Sequence, residues 1–215
     1  MTFLFDETQS TPLCEIMGRN RSDKGHLHIQ SAWHNYTTFY YSIFKDIKNE
    51  QLRVFELGLG TNNISIPSNM GVNGRPGASL YGWAEFFPNS SIFGADIDTG
   101  ILFKSERIET FYCDQTNREV IEQMWKEPAL QEQFDIIIED GLHEFDANVC
   151  FFENSIHKLK EGGYFIIEDI VKPQLFTSKI REWEMKYADC VFTLLSIPSF
   201  INRYDNTLLV VFRNA

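Results

Sequence analysis

The chain has 215 residues, with 19 Lys+Arg against 30 Asp+Glu and a formal net charge of −11. That length fits one domain with a short extension, and 43% hydrophobic with 23% charged residues is the balance of a globular chain, not of a fibre or a disordered tail. The acidic surplus, with no Lys/Arg cluster, argues against a nucleic-acid binder and against a protein held on an anionic membrane surface.

No apolar run approaches the 18 or so residues of a spanning helix. The first residues, MTFLFDETQ, carry an acid by position 6 and no basic start, so no secretory signal is expected. Cys14, Cys113, Cys150 and Cys190 are scattered without a CxxC, which suits reduced thiols and a cytoplasmic protein.

Residues 1–31 show no clear period and read as loop. AWHNYTTFYYSIFKDI (32–47) reads as one aromatic-rich helix ahead of the sheet. Its surplus of aromatics suits either the sheet or a second copy in a homo-oligomer. Residues 1–50 are thus expected to be an N-terminal extension packed on a core domain of residues 51–215. Seven apolar runs follow: LRVFEL (52–57), SIFGAD (91–96), IETFYC (108–113), FDIIIED (134–140), GYFIIED (163–169), CVFTLL (190–195) and TLLVVF (207–212). Runs two to five are separated by helix-length stretches, the pattern of a parallel sheet covered on both faces.

The connecting helices are SLYGWAEFF (79–87) with Ser79 as N-cap, REVIEQMW (118–125), ANVCFFENSIHKLK (147–160) stopped by Gly162-Gly163, and KIREWEMKY (179–187). The last two runs have only IPSFINRYDN between them, which predicts an antiparallel final strand. The fold class is α/β, a Rossmann-like, doubly wound seven-stranded sheet. The Gly/Asn/Pro-rich stretch 61–78 is a long loop after the first strand, and loops of that length tend to be functional or disordered.

Glu56-Leu57-Gly58-Leu59-Gly60 closes the first strand. Glycines there permit a sharp turn and the close approach of a ligand to the backbone. Asn63 stands where a dinucleotide fingerprint has its third glycine, which argues against a nicotinamide-dependent oxidoreductase. Glu56 ends a buried strand and needs a partner. Asp96, closing the second strand, can accept both hydroxyls of a ribose or cap a helix; Asp114, after the third with Gln115 beside it, can accept an adenine amino group.

The fourth and fifth strands end alike, in Glu139-Asp140-Gly141-Leu142-His143 and Glu168-Asp169. Parallel neighbours set these carboxylates side by side, where they repel one another unless a cation lies between them. Oxygen donors favour a hard ion such as Mg2+. His143, three residues after Asp140, is a suitable general base at neutral pH. His26, His28, His34 and His157 lack that context, although His34 with Tyr36 is a candidate for the pocket wall.

These residues together resemble the class I S-adenosylmethionine-dependent methyltransferases. More narrowly, they resemble the metal-dependent macrolide sugar O-methyltransferases of the mycinamicin and macrocin type, with the related cephalosporin hydroxylase group. The narrower likeness lies in Ser22-Asp23-Lys24-Gly25, His34-Asn35-Tyr36, Ala78-Ser79-Leu80 before Trp83 and Phe87-Pro88, and the two acidic strand ends. It implies an O-methyltransferase acting on a sugar or sugar-containing small molecule, with S-adenosyl-L-methionine and Mg2+ as cofactors. By matching position it implies Asp140, Glu168 and Asp169 as metal ligands and His143, with Asp140, as the catalytic set. Glu56, Gly58, Gly60, Asp96, Asp114, Gln115 and Lys24 are the corresponding cofactor-site residues. Two departures stand out: Glu139 replaces an Asp and Leu142 a Ser. A catechol-type methyltransferase and an inactive scaffold of the same fold are the alternatives.

Overall fold

A computed structural model describes residues 5, 6, 9–25 and 33–215. His26 and His28 lie outside the described residues. Strands β1 (Arg53–Leu57), β2 (Ser91–Asp96), β3 (Ile108–Tyr112), β4 (Phe134–Glu139) and β5 (Leu159–Ile167) run parallel. With β6 (Cys190–Ser196) and β7 (Thr207–Arg213) they form one sheet in the order β3-β2-β1-β4-β5-β7-β6, and β7 runs antiparallel to both its neighbours. This is the α/β, mostly parallel seven-stranded sheet that the spacing of apolar runs predicts.

Helices α1 (Pro12–Asn20), α2 (Tyr36–Phe44) and α3 (Ala78–Phe86) share a hydrophobic cluster on one face. Helices α4 (Arg118–Met124), α5 (Phe145–Ser155) and α6 (Pro173–Lys186) share the cluster on the other. Strand alternation decides which side each residue serves. In β1, Val54 joins the α1–α3 cluster while Phe55 and Leu57 join the opposite one. Glu56, between them, therefore faces α3. No helix among the described residues is long and apolar enough to cross a membrane.

Several local expectations are corrected. Residues 12–20 are helix, not loop: the Thr11 hydroxyl oxygen caps the Cys14 N–H at 3.2 Å, Pro12 opens the first turn, and Leu13, Cys14 and Met17 are buried. Nine residues are too few to display a period. The aromatic helix is shorter than 32–47, and Tyr36, Phe39, Tyr40 and Phe44 are buried against the sheet. The N-cap position of α3 is Gly77, and the Ser79 hydroxyl donates instead to Glu56. Gly162 and Gly163 lie inside β5 and do not end a helix; Leu159, fully buried, belongs to the sheet, whose register with β4 shifts between Phe134 and Ile136. Helix α6 begins at Pro173, where proline's missing N–H costs nothing.

The register positions the site. Leu57 pairs with Ala95 and Glu139, and Glu139 with Ile167. The next residues, Gly58, Asp140 and Glu168, consequently leave the sheet at one rim. There Asp140 N–H donates to the Leu57 carbonyl and Glu168 N–H to the Glu139 carbonyl, each at 2.9 Å.

Candidate active site

The turn after β1 depends on its glycines. Gly58 and Gly60 have φ of 90° and 72°, and a Cβ on Gly58 would collide with the Asp140 carbonyl. Asp96 braces this turn: its Oδ2 accepts the Leu59 N–H at 2.7 Å and its Oδ1 the Asp98 N–H at 2.8 Å. Burial pushes its carboxyl above the usual range. Asp114 Oδ1 accepts the Thr116 N–H and hydroxyl at 2.9 and 2.6 Å. A cavity of about 570 Å³ opens beside these residues, and its wall includes Gly58, Gly60, Asp96 and Asp114 together with Asp140, His143 and Asp169.

Gln115 also reaches the wall, but both ends of its amide are used within the protein. Nε2 donates to Glu139 Oε1 at 3.0 Å, and Oε1 accepts the Leu142 N–H at 2.7 Å. It clamps the 140–143 turn to the end of β4.

Lys24 sits at the centre of the acids. Its ammonium donates to Asp140 Oδ2 and, at 2.6 Å, to Glu168 Oε2, and lies 3.6 Å from Glu56 Oε1. Burial opposes that charge, yet Asp140, Glu168 and Glu56 outweigh it and hold the ammonium well above the ordinary lysine value. Glu56 finds the partners its position demands in Lys24, the Ser79 hydroxyl and the Trp83 indole N–H. The other oxygen of Glu168 accepts the Tyr40 hydroxyl. Burial first, then Asp140 and Glu56, push the Glu168 carboxyl up, against the pull of Lys24.

Asp169 Oδ1 accepts the Tyr36 hydroxyl at 2.6 Å and lies 3.4 Å from His34 Nδ1; Oδ2 lies 3.7 Å from His143 Nε2. Burial and the neighbouring Asp140 push its carboxyl up to about 7, against the pull of His34 and the Tyr36 hydroxyl. His143 Nε2 is also 3.9 Å from Asp140 Oδ1. Asp140, His143 and Asp169 offer one donor atom each, all within 4.8 Å of one another. Glu168 is not one of these three, and its two oxygens accept from Lys24 and the Tyr40 hydroxyl. His34, Asp169 and Asp205 form a second such trio, in which Asn202 and Asn206 hold His34 Nδ1 at 3.2 and 3.3 Å.

Two of these residues sit in strained backbone. His143 and Asp169 have φ of 61° and 55°, the left-handed region that side chains disfavour and that recurs at functional sites. Among the described residues, His143 Nδ1 and Glu139 Oε2 are buried without a hydrogen-bond partner.

The donor set fits a hard divalent cation. The Asp140 and Asp169 carboxylates converge at the cavity wall with the His143 imidazole beside them, and burial with the neighbouring Asp140 raises the Asp169 carboxyl, a repulsion that a cation between the two would relieve.

Comparison with known proteins locates this arrangement. No protein-family model matches the chain. The tetracenomycin-C rhamnosyl 3'-O-methyltransferase of Streptomyces olivaceus is 29% identical over 74% of this chain and 36% of its own length. The mycinamicin VI 2''-O-methyltransferase of Micromonospora griseorubida is 33% identical over 64% of this chain and 32% of its own. The MycE methyltransferase, solved with Mg and SAH, superposes with a TM-score of 0.70 at 24% identity, over 96% of this chain and 56% of that one.

The chain has the class I S-adenosylmethionine-dependent methyltransferase fold, and macrolide sugar O-methyltransferases are its homologues. It spans about a third of the length of the curated relatives it matches.

Within this methyltransferase fold, sequence reasoning missed Tyr40 and the clamp made by Gln115. A signal for Tyr40 exists: it follows Tyr36 by four residues, so one helix face presents both hydroxyls, to Asp169 and Glu168.

Proposed function

We propose that this chain is an S-adenosylmethionine- and Mg2+-dependent O-methyltransferase acting on a hydroxyl of a sugar or sugar-containing small molecule. The observation that carries this reading is the convergence of Asp140, His143 and Asp169 on the wall of the cavity that begins at the glycine turn. Homologues named for sugar O-methylation support the substrate class.

Gly58 and Gly60 let the cofactor approach the backbone, with Glu56 beneath them and Asp96 and Asp114 on the same wall. Asp140 and Asp169 would hold the cation, with Glu168 behind them and Lys24 fixing Asp140 and Glu168 in place. A bound cation supplies Lewis-acid lowering of the hydroxyl pKa, and S-adenosylmethionine supplies the methyl group. His143 takes the hydroxyl proton at Nε2, the nitrogen that faces both aspartates. The strained turn at His143 aims the imidazole, and the Gln115 clamp holds that turn. Four free thiols fit action in the reducing cytoplasm.

The test is release of S-adenosylhomocysteine from S-adenosylmethionine by the purified chain with Mg2+ and a panel of glycosides, repeated in EDTA. Glycoside-dependent release abolished by EDTA supports the reading. Release that survives EDTA, or none with any glycoside, overturns it.

A further inference from the structure

We infer that Trp33 is the platform on which the acceptor's sugar ring stacks, so that this residue sets which pyranosides the site accepts. The inference rests on the sugar O-methyltransferase reading above. It starts from an anomaly among the four tryptophans. Trp83, Trp125 and Trp183 are at most 4% exposed, and their indole N–H groups donate to Glu56, Ser155 and Glu153. Trp33 is 50% exposed, and it lines the cavity. Leaving so large an apolar ring in water is unfavourable unless something covers it in the working state.

Its position names the cover. Among the described residues its ring neighbour is His34, edge-on with centroids 6.2 Å apart. His34 in turn stacks on Tyr36 at 4.7 Å and sets Nδ1 3.4 Å from Asp169. Trp33 is thus one residue from the side chain that abuts the rim acids, whereas Gly58, Gly60, Asp96 and Asp114 of the cofactor wall lie at the ends of β1, β2 and β3. A pyranoside whose adjacent hydroxyls reach Asp140 and Asp169 has a C–H face left to cover. Polar groups fix the orientation of such a ligand and aromatic faces supply the contact area.

The test uses methyl α-L-rhamnopyranoside as probe, with protein loaded with S-adenosylhomocysteine and Mg2+. Because the other three tryptophans are buried, iodide quenching of the emission reads Trp33. The probe should protect that emission in wild type, and Trp33→Ala should lose both the quenchable component and the protection. In turnover, Trp33→Ala should raise KM for the glycoside about tenfold. Trp33→Phe should restore it to within about threefold, and S-adenosylhomocysteine affinity should stay within about twofold. An unchanged KM, no protection from iodide, or a matching loss of S-adenosylhomocysteine affinity would each overturn the inference. A wild type that binds the probe at Trp33 but turns over no glycoside would refute the methyltransferase reading, and with it the acceptor role of the bound sugar, while upholding the stacking of a pyranoside on Trp33.

Discussion

Replacing Lys24 with Met tests whether the rim is held together by one buried ammonium. The side chain is 2% exposed and its charge is shared by Asp140, Glu168 and Glu56. Met keeps the apolar stem and removes only the charge. Glu168 and Glu56, 1% and 0% exposed, are then buried with no cation beside them. Breaking a buried pair from one side costs about 3–5 kcal/mol. At about 2–4 °C per kcal/mol for a chain of this size, the melting temperature should fall by about 6–20 °C.

The loss should depend on pH. Without Lys24 the two glutamates bind protons more tightly in the folded than in the unfolded chain, so stability falls as pH rises and the deficit is larger at pH 8 than at pH 5.5. Adding Glu168→Gln should recover part of it, because a neutral amide needs no counter-charge. Calorimetric melts of the single and double variants at both pH values read all of this. A Lys24→Met melt within about 2 °C of wild type at both pH values would refute the reasoning.

Three further outcomes are expected. Asp169 holds its proton to about 7 when folded, against an ordinary 3.8; metal-free stability should therefore decline as pH rises between about 4 and 7, and the melting shift caused by Mg2+ should grow from pH 6 to pH 8, as thermal melts with and without the ion would show. His143→Ala should bind S-adenosylhomocysteine within about threefold of wild type by calorimetry while losing about 10²–10⁴-fold in turnover, and retained turnover would remove the histidine as base. Gly58→Ala forces a Cβ onto the Asp140 carbonyl at φ of 90° and should cost about 1–3 kcal/mol in a melt and abolish S-adenosylhomocysteine binding.

The sheet was legible because its signals are local. Apolar runs mark the strands, the spacing between them marks the crossovers, and the acids that end the strands mark the rim. Asp140, His143 and Asp169 converge because the β4–β5 register aligns the two strand ends they follow. What stayed hidden depends on contacts between distant segments. Nothing near Lys24 announces that it meets Asp140 and Glu168, 116 and 144 residues away. Glu168 matches a ligand by position, and its own sequence neighbours do not show that α2 brings the Tyr40 hydroxyl to it. Gln115 reads as a ligand-binding residue, and the fold alone adds that its amide also closes the 140–143 turn. Gly162-Gly163 carries a helix-stop signal that the burial of Leu159 in the sheet overrides.

The wide sequence separations at the rim also order its assembly. Tyr36 reaches Asp169 across 133 residues and Asn206 reaches Asn35 across 171, so segments near both ends of the described chain meet at the rim. Closures that long come late in folding, after the local helices and neighbouring strands have formed. A nascent chain still short of residue 206 has the glycine turn and Asp140 but lacks the Asn206 tie to Asn35. Ligand capture is thereby tied to the finished fold, and only the finished fold is drawn forward by mass action when cofactor and cation are abundant.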